Sequence, residues 1–144
     1  MVFAASVFAP KNIAFAVESL NSPSNDVVAT IFCTNDVHGG VEHGHYGDGG
    51  TNGLSYGSAA ELKASAGKNK ALLVDAGDHT SGSSYANYDN GKTLVTAMKA
   101  AGYDFAIPGN HEFDVGVDYF KEIRALANDT SGGQHRFDYH ACNF

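Results

Sequence analysis

Short runs of apolar residues along the chain predict four strands. Residues 27–34, 70–74 and 103–107 are rich in apolar and β-branched side chains, which favours buried strands. Residues 135–144 alternate apolar and polar side chains, as a half-buried strand does. We therefore expect strands at regular intervals from residue 27 onward.

Three stretches between these runs predict helices. Residues 92–101 and 117–127 repeat apolar side chains at helical spacing, and Gly102 is suited to end the first of these helices. A further helix is predicted over residues 58–66, where Ser58 begins a capping-box pattern. The helices are expected to contribute four side chains to the core, namely Leu94, Met98, Phe120 and Ile123.

The order β-α-β-α-β-α-β predicts an α/β fold. Strands that alternate with helices of this length imply a parallel sheet with right-handed crossovers. A chain of 144 residues, 43% of them hydrophobic, is long enough for one domain with a core, expected over residues 27–144. Residues 1–26 are interpreted as a leader or linker. Their apolar start is typical of a signal peptide, but no basic residue precedes it.

The charge of the chain restricts its partners. A formal net charge of −7 with only 9 Lys and Arg argues against nucleic acid or an anionic membrane surface as the main partner, because both require clustered positive charge. No membrane span is expected. An anionic substrate would therefore need a bound cation to neutralise it, and the acidic residues of the chain would hold that cation.

The two cysteines, Cys33 and Cys142, both lie inside predicted strands. Two buried free thiols are the favoured interpretation, because reduced cysteine behaves as a small hydrophobe. A disulfide, or a cysteine in contact with the functional site, stays open as an alternative.

Side chains suited to metal binding follow three of the strands. Asp36 and His38 come after the first strand, Asp78 after the second, and Asn110 and His111 after the third. Because the carboxyl ends of parallel strands meet at one edge of a sheet, we expect these side chains to converge. Carboxylate, imidazole and amide donors without a thiolate suit Mn, Zn, Fe, Co or Mg. Two such ions could hold a phosphate and deliver hydroxide, which predicts a phosphoester hydrolase.

Three sequence blocks resemble those of the calcineurin-like metallophosphoesterases. The blocks are Asp36-x-His38, Gly77-Asp78 and Gly109-Asn110-His111-Glu112. Their longer forms resemble the 5′-nucleotidase branch, which includes UDP-sugar hydrolases and 2′,3′-cyclic-nucleotide phosphodiesterases. The resemblance covers residues 27–144. It implies the layered metallophosphoesterase fold and a hydrolase of nucleotides or related small phosphoesters.

The resemblance also implies a binuclear centre of divalent metal ions. Asp36 and His38 would bind the first ion, Asp78 would bridge both ions, and Asn110 would bind the second. A metal-bound water or hydroxide would be the nucleophile, so no covalent enzyme intermediate is expected. Asn35 would hold its turn by hydrogen bonds without contacting the metal.

The same block after the third strand would provide the remaining groups. His111 would lie beside the scissile phosphate, as transition-state stabiliser or proton donor to the leaving alkoxide, and Asp114 would orient it. Asn110 would also contact the substrate. Glu112, like Asn35, would hold its turn by hydrogen bonds.

The chain departs from this family after residue 111. The family carries further metal-binding histidines there, whereas His135 and His140 stand alone. The C-terminal domain that stacks the base in the nucleotidase branch is also missing. We therefore expect the N-terminal, incomplete portion of a longer enzyme, inactive without its C-terminal remainder. The resemblance further implies a periplasmic, secreted or cell-surface location.

Several alternatives stay open. The enzyme could be a phosphodiesterase of cyclic or sugar nucleotides, or the chain a non-catalytic metal-binding remnant of the fold. Asp75 is favoured as a structural hydrogen-bond acceptor over a ligand. His79 either lines the pocket or lies in an exposed loop. His43 and His45 are interpreted as part of a solvated loop rather than a metal site.

Overall fold

Strands and helices alternate along the chain. The computed structural model describes residues 30–40, 55–66 and 71–141. Its regular elements are β1 (Thr30–Thr34), α1 (Tyr56–Ser65), β2 (Ala71–Asp75), α2 (Ser84–Asp89), α3 (Lys92–Ala101), β3 (Phe105–Ala106), α4 (Val117–Asn128) and β4 (Asp138–Tyr139). Short 3₁₀ turns occur at His111–Phe113 and Ser131–Gly133.

The four strands form one parallel sheet in the order β1-β2-β3-β4. Thr34 lies beside Asp75, and Asp75 lies beside Ala106, so the first three strands end at nearly the same level. Every connection moves one strand along the sheet in the same direction, and right-handed crossovers of this kind place their helices on one face. The predicted parallel α/β fold is confirmed.

The core lies between this face of the sheet and the helices. Leu73 and Ala106 are fully buried there, and Phe32 packs against the same cluster. The predicted core positions of α3 and α4 are confirmed, since Leu94, Met98 and Ile123 are buried and Phe120 packs against them as a half-buried ring. Other large side chains of the same cluster are Val95, Tyr103 and Phe137.

In the described part of the chain, the opposite face of the sheet is exposed on β1 and at Leu72 on β2, whereas Val74 on the same face is buried. Ile31 on β1 and Leu72 on β2 lie side by side, and they are 58% and 41% exposed. Cys33 lies on the same face two residues after Ile31 and is an exposed free thiol. The expectation of a buried thiol is therefore wrong for Cys33, because none of the described helices covers this face.

Most helix boundaries agree with the prediction. α3 spans the predicted residues, and Gly102 closes it with a φ of +82°. α4 begins at the predicted residue and ends one residue later. α1 begins earlier than predicted because its N-cap is Ser55, whose side chain accepts a hydrogen bond from the nitrogen of Ser58. The capping box at Ser58 was therefore wrong.

Three elements differ from the prediction in length or existence. α2 was predicted as loop, but Ser83 caps it at one end and Asn90, with a φ of +53°, closes it at the other. Its six residues are too few to give a helical repeat in the sequence. β3 has two residues rather than five, because the nitrogen of Leu73 on β2 donates to the side chain of Asp104 and not to a main-chain oxygen. β4 covers only Asp138–Tyr139 of the predicted residues 135–144, because the strand beside it in the described part of the chain, β3, is itself two residues long.

Several expectations lie outside the described residues. These are the leader or linker at residues 1–26, the loop with His43 and His45, the end of the first predicted helix at Gly67, and Cys142. Within the described part of the chain, no helix is long and apolar enough to cross a membrane.

Candidate metal centre

The loops that follow β1 and β2 are joined by main-chain hydrogen bonds. The nitrogen of Asp36 donates to the oxygen of Gly77, and the nitrogen of His38 donates to the oxygen of Asp78, both over 3.0 Å. These bonds continue the pairing of the two strands past their carboxyl ends. The side chains predicted to converge there are therefore carried by loops with a fixed mutual position.

Three of these residues have a left-handed backbone. The φ angles of Asp36, His38 and Asp78 are +53°, +47° and +56°, a conformation that costs a residue with a side chain about 1–2 kcal/mol. Such conformations persist where the surrounding structure imposes them, and they cluster at functional sites. The backbone thus directs these side chains together at a conformational cost.

His38, Asp78 and His111 form a cluster of potential metal ligands. One ligand atom from each lies within 4.8 Å of the others, and all three residues are half-buried. The imidazole rings of His38 and His111 meet edge to face, with centroids 5.2 Å apart. Asp36 joins the group, with its Oδ1 3.6 Å from Nε2 of His38. Two imidazoles and two carboxylates are a donor set that fits a divalent transition-metal ion.

His111 is held by two hydrogen bonds. Its main-chain nitrogen donates to Oδ1 of Asp78 over 3.0 Å, and its Nδ1 donates to Oδ2 of Asp114 over 2.8 Å. The hydrogen bond to Asp114 is the main cause of a raised pKa of the His111 imidazole. Because Nδ1 is occupied, Nε2 is the nitrogen left to act on a ligand. A cavity of about 160 Å³ lies beside this pair.

The other predicted site residues flank the cluster. Asn110 is exposed and directly precedes His111. The side-chain amide of Asn35 donates a short hydrogen bond to the carboxylate of Asp36, as expected of a residue that holds the turn. Ser81 was not singled out from the sequence, yet its hydroxyl lies 3.4 Å from Nδ1 of His38. No local feature of the sequence distinguishes Ser81 from the serines around it.

Glu112 joins the loops after β2 and β3. Its buried carboxylate accepts hydrogen bonds from the main-chain nitrogens of Asp78, His79, Thr80 and Gly109 at 2.6–3.0 Å, and from the Thr80 hydroxyl. Burial alone would raise the pKa of this carboxyl, but the nearby His79 and the main-chain donors lower it to about 2. Glu112 is therefore an anion that fixes the main chain around Asp78.

A chain of buried polar groups lies beneath the cluster. Nδ1 of His79 lies 2.6 Å from Oδ1 of Asp75, and Nε2 of His79 lies 2.6 Å from the Tyr139 hydroxyl. The other Asp75 oxygen accepts a short hydrogen bond from the Thr34 hydroxyl, which lies 2.9 Å from the hydroxyl of Tyr103. Burial lowers the pKa of His79, but the charge of Asp75 and its hydrogen bond outweigh this and raise it overall.

Two expectations are settled by this chain of contacts. Asp75 is a structural hydrogen-bond acceptor, as favoured from the sequence, since it also accepts from the nitrogen of Gly77. His79 neither lies in an exposed loop nor lines an open pocket, because its residue exposure is 0%. Its partner Tyr139 is sixty residues away in the sequence, so no local pattern could indicate that burial.

Comparison with known proteins identifies the family. Residues 29–141 match the calcineurin-like phosphoesterase family. A snake venom 5′-nucleotidase from Gloydius brevicauda is 38% identical over 61% of this chain and 16% of its own length. A 2′,3′-cyclic-nucleotide 2′-phosphodiesterase/3′-nucleotidase from Haemophilus influenzae is 31% identical over 68% of this chain and 17% of its own length.

A solved structure shows the same fold. The calcineurin-like phosphoesterase YfkN from Bacillus subtilis superposes with a TM-score of 0.54 and 26% identity, over 67% of this chain and 33% of that one. The chain spans only about a sixth of the length of the Gloydius brevicauda and Haemophilus influenzae relatives. By sequence match and by fold, this chain belongs to the calcineurin-like phosphoesterase family, with 5′-nucleotidases among its relatives.

Proposed function

We propose that this chain is the N-terminal part of a hydrolase of nucleotide phosphoesters, of the 5′-nucleotidase type, that works with two divalent metal ions. The observation that carries the proposal is the cluster of His38, Asp78 and His111 at the carboxyl ends of parallel strands. In an open α/β sheet, ligands bind at this edge. The names of the relatives, a 5′-nucleotidase and a cyclic-nucleotide phosphodiesterase, support nucleotides as the substrate class.

The donor set suggests how the ions would be held. Asp36, His38 and Asp78 would hold the first ion, and Asp78 with Asn110 would hold the second. The second site would be completed by residues beyond this chain, so we expect the chain to be inactive by itself. Divalent ions bound there supply positive charge against phosphate oxygens and lower the pKa of water. Mn, Zn, Fe, Co and Mg all accept such donors.

His111, oriented by Asp114, would stabilise the transition state or protonate the leaving group. The Asp114 carboxylate fixes Nδ1 of the imidazole and raises the pKa of His111, which favours the doubly protonated ring. Its Nε2–H could then stabilise charge on the phosphoryl oxygens or pass its proton to the departing alkoxide. The cavity beside this pair gives a substrate group access to the imidazole.

A second candidate function has a specific observation behind it. The Haemophilus influenzae relative is named as both a diesterase and a monoesterase, so hydrolysis of cyclic or sugar nucleotides by the same centre is the runner-up. A metal-binding remnant without activity is the third candidate. We further propose an extracytoplasmic location, in line with the venom relative, and a domain over residues 27–144 that follows a leader or linker.

The test is phosphate release from 5′-AMP by the protein that carries this chain, with Mn²⁺ added after EDTA treatment. Release should require the metal and should disappear in Asp78→Asn, which keeps the side-chain shape and suits a left-handed backbone. Asp118→Asn is the matched control, since that carboxylate is 96% exposed and lies on α4. Faster turnover of 2′,3′-cyclic AMP or UDP-glucose would favour the runner-up. Mn²⁺ binding without turnover of any of them would favour the remnant.

A further inference from the structure

His79 has a buried imidazole for which the proposed mechanism gives no task. Its residue exposure is 0%, and both ring nitrogens have a partner at 2.6 Å, Asp75 on β2 and Tyr139 on β4. The ring also stacks on that of Tyr139, with centroids 5.5 Å apart and planes 24° apart. The side chain is thus fixed in position and orientation by two strands.

The main chain of His79 is fixed as well. Its nitrogen donates to Oε1 of Glu112 over 2.9 Å, and its oxygen accepts from the Tyr56 hydroxyl on α1 over 3.1 Å. The main chain of His79 is therefore held at its nitrogen by Glu112 and at its oxygen by Tyr56. The main-chain nitrogen, the main-chain oxygen and both ring nitrogens of His79 therefore all have a hydrogen-bond partner.

This anchoring acts directly on a proposed metal ligand. His79 follows Asp78, whose φ of +56° must be imposed by its surroundings. The nitrogen of Asp78 is held by Glu112 over 2.9 Å. The peptide bond after Asp78 is held at its oxygen by the nitrogen of His38 and at its nitrogen, which belongs to His79, by Glu112. The buried side chain of His79 is a further anchor directly after this peptide bond. A displacement of His79 would shift the main chain of Asp78, to which it is bonded, and with it the Asp78 carboxylate beside His38 and His111.

The polar character of His79 is informative. A buried imidazole needs partners for both nitrogens, because an unpartnered buried polar group costs about 1–3 kcal/mol. An apolar side chain would fill the same space without this requirement. What the imidazole adds is a defined orientation, fixed by two directional hydrogen bonds rather than by packing alone.

We propose that His79 is a positioning residue for Asp78, which its anchored side chain and main chain hold in the orientation that binds metal. The role rests on the proposed metal centre. It acts through the Asp78 main chain, and His79 itself contacts neither the metal nor the substrate.

The test measures the Mn²⁺ affinity of the protein that carries this chain by electron paramagnetic resonance, well below its melting temperature. His79→Leu fills the volume but loses both hydrogen bonds, and we expect its Kd for Mn²⁺ to rise about 10–100-fold, as for other partners that orient a ligand. His79→Asn can keep a donor toward Asp75, and His79→Gln can keep a polar group toward Tyr139. Both should bind Mn²⁺ more tightly than His79→Leu.

Two further variants separate positioning from general stability. Met98→Ala, in the core of α3, should lower the melting temperature of the metal-free protein while its Kd for Mn²⁺ stays within about twofold of wild type. Tyr139→Phe removes one hydroxyl and keeps the ring, so it tests the role even where His79→Leu does not fold. Its Kd should rise by less than that of His79→Leu.

The outcomes distinguish this role from the metal centre itself. If wild type binds Mn²⁺ and the folded His79 and Tyr139 variants bind it equally well, the positioning role is wrong and the metal centre stands. If Met98→Ala weakens binding as much as His79→Leu, general loss of stability explains the effect and the role is again wrong. If wild type binds no Mn²⁺, the metal centre and the positioning role fail together.

Discussion

His38 and Asp78 are joined through their main chains, where the nitrogen of His38 donates to the oxygen of Asp78 over 3.0 Å. Both residues have a left-handed backbone, so each loop holds the other in a conformation that neither would favour alone. The two side chains are therefore brought together by the fold of the protein itself. Metal binding to such a site needs little rearrangement of the backbone.

The close approach of the loops after β2 and β3 should require glycine at position 77. A Cβ added to Gly77 would lie 2.6 Å from the nitrogen of Gly109, whereas a Cβ added to Gly116 would meet no atom within 4 Å. Both glycines have a positive φ, +108° and +105°, so each alanine variant carries a backbone cost of about 1–3 kcal/mol. Gly77→Ala should lose about 1–3 kcal/mol more through overpacking.

Urea denaturation in EDTA measures this difference, and Mn²⁺ titration measures its effect on the site. Gly77→Ala should also bind Mn²⁺ more weakly, because Gly109 lies so close to Asp78 that a Cβ on it would be 2.7 Å from the Asp78 nitrogen. Gly116→Ala should bind Mn²⁺ as wild type does. Equal losses of stability in the two variants would show that the short distance between Gly77 and Gly109 does not exclude a side chain.

The pH dependence of stability should contain a contribution from Glu112. Its pKa falls from 4.5 to about 2 on folding, so its stabilisation is complete above about pH 4.5 and is lost as the pH falls toward 2. Such a shift corresponds to on the order of 3 kcal/mol. Glu112→Gln should therefore be less stable than wild type at pH 7, and the difference should narrow below pH 4.5.

The measurement is the free energy of unfolding in urea between pH 7 and pH 3, with EDTA present throughout. Glu122→Gln is the control, because that side chain is 61% exposed and forms a surface ion pair with Lys92. Its effect should be below about 1 kcal/mol at every pH. A difference for Glu112→Gln that does not change with pH would show that the carboxylate charge is not what stabilises the loops.

The parts of the fold set by local sequence were predictable. α3 was predicted to the residue, because its apolar repeat ends at Gly102, which adopts the left-handed conformation that closes a helix. The strand ends carrying Asp36, Asp78 and Asn110 were found because each apolar run stops at a polar cluster. At the start of α1, however, Ser55 and Ser58 both suit a cap, and the sequence pattern favoured the wrong one.

Features set by distant residues could not be read from the sequence. His79 looks like a loop residue until β4 brings Tyr139 to its ring. Cys33 looks like a buried thiol, because strand residues with apolar neighbours usually face a packed layer. Its exposure follows from the helices of the described part all covering the other face of the sheet.

His111 has two possible tasks, and a single variant distinguishes them. As proton donor or stabiliser, its loss in His111→Gln should lower kcat by about 10²–10⁴ while the Kd for Mn²⁺ changes little. As a metal ligand beside His38 and Asp78, which its position also allows, its loss should weaken Mn²⁺ binding together with kcat. Steady-state kinetics and Mn²⁺ titration of the protein that carries this chain give both quantities.

Asp114→Asn refines the same assignment. The variant removes the charge that raises the pKa of His111 but keeps a hydrogen-bonding group of the same shape. We expect a smaller fall in kcat than for His111→Gln, with unchanged Mn²⁺ affinity. Asp118→Asn, in the next turn of the chain and fully accessible, should leave kcat unaltered. A normal kcat in Asp114→Asn would mean that His111 needs no orienting carboxylate.

The one-sided cover of the sheet predicts opposite behaviour for two adjacent leucines. Leu73 faces the helices and is 0% exposed, whereas Leu72 faces the other side of β2 and is 41% exposed. Leu73→Ala should cost about 2–5 kcal/mol, since it leaves a cavity in the core. Leu72→Ala should cost less than about 1 kcal/mol, because its side chain already contacts solvent.

Urea denaturation of the two variants under identical conditions measures the difference. Each removes the same atoms from neighbouring positions of one strand, so intrinsic strand preference largely cancels and burial decides the result. A cost for Leu72→Ala close to that of Leu73→Ala would mean that another part of the protein, or a second molecule, covers Leu72 and Ile31 in solution. The charged variant Leu72→Lys gives a second test of whether Leu72 is covered. Lysine should lower the free energy of unfolding at a covered position and leave it nearly unchanged at an exposed one.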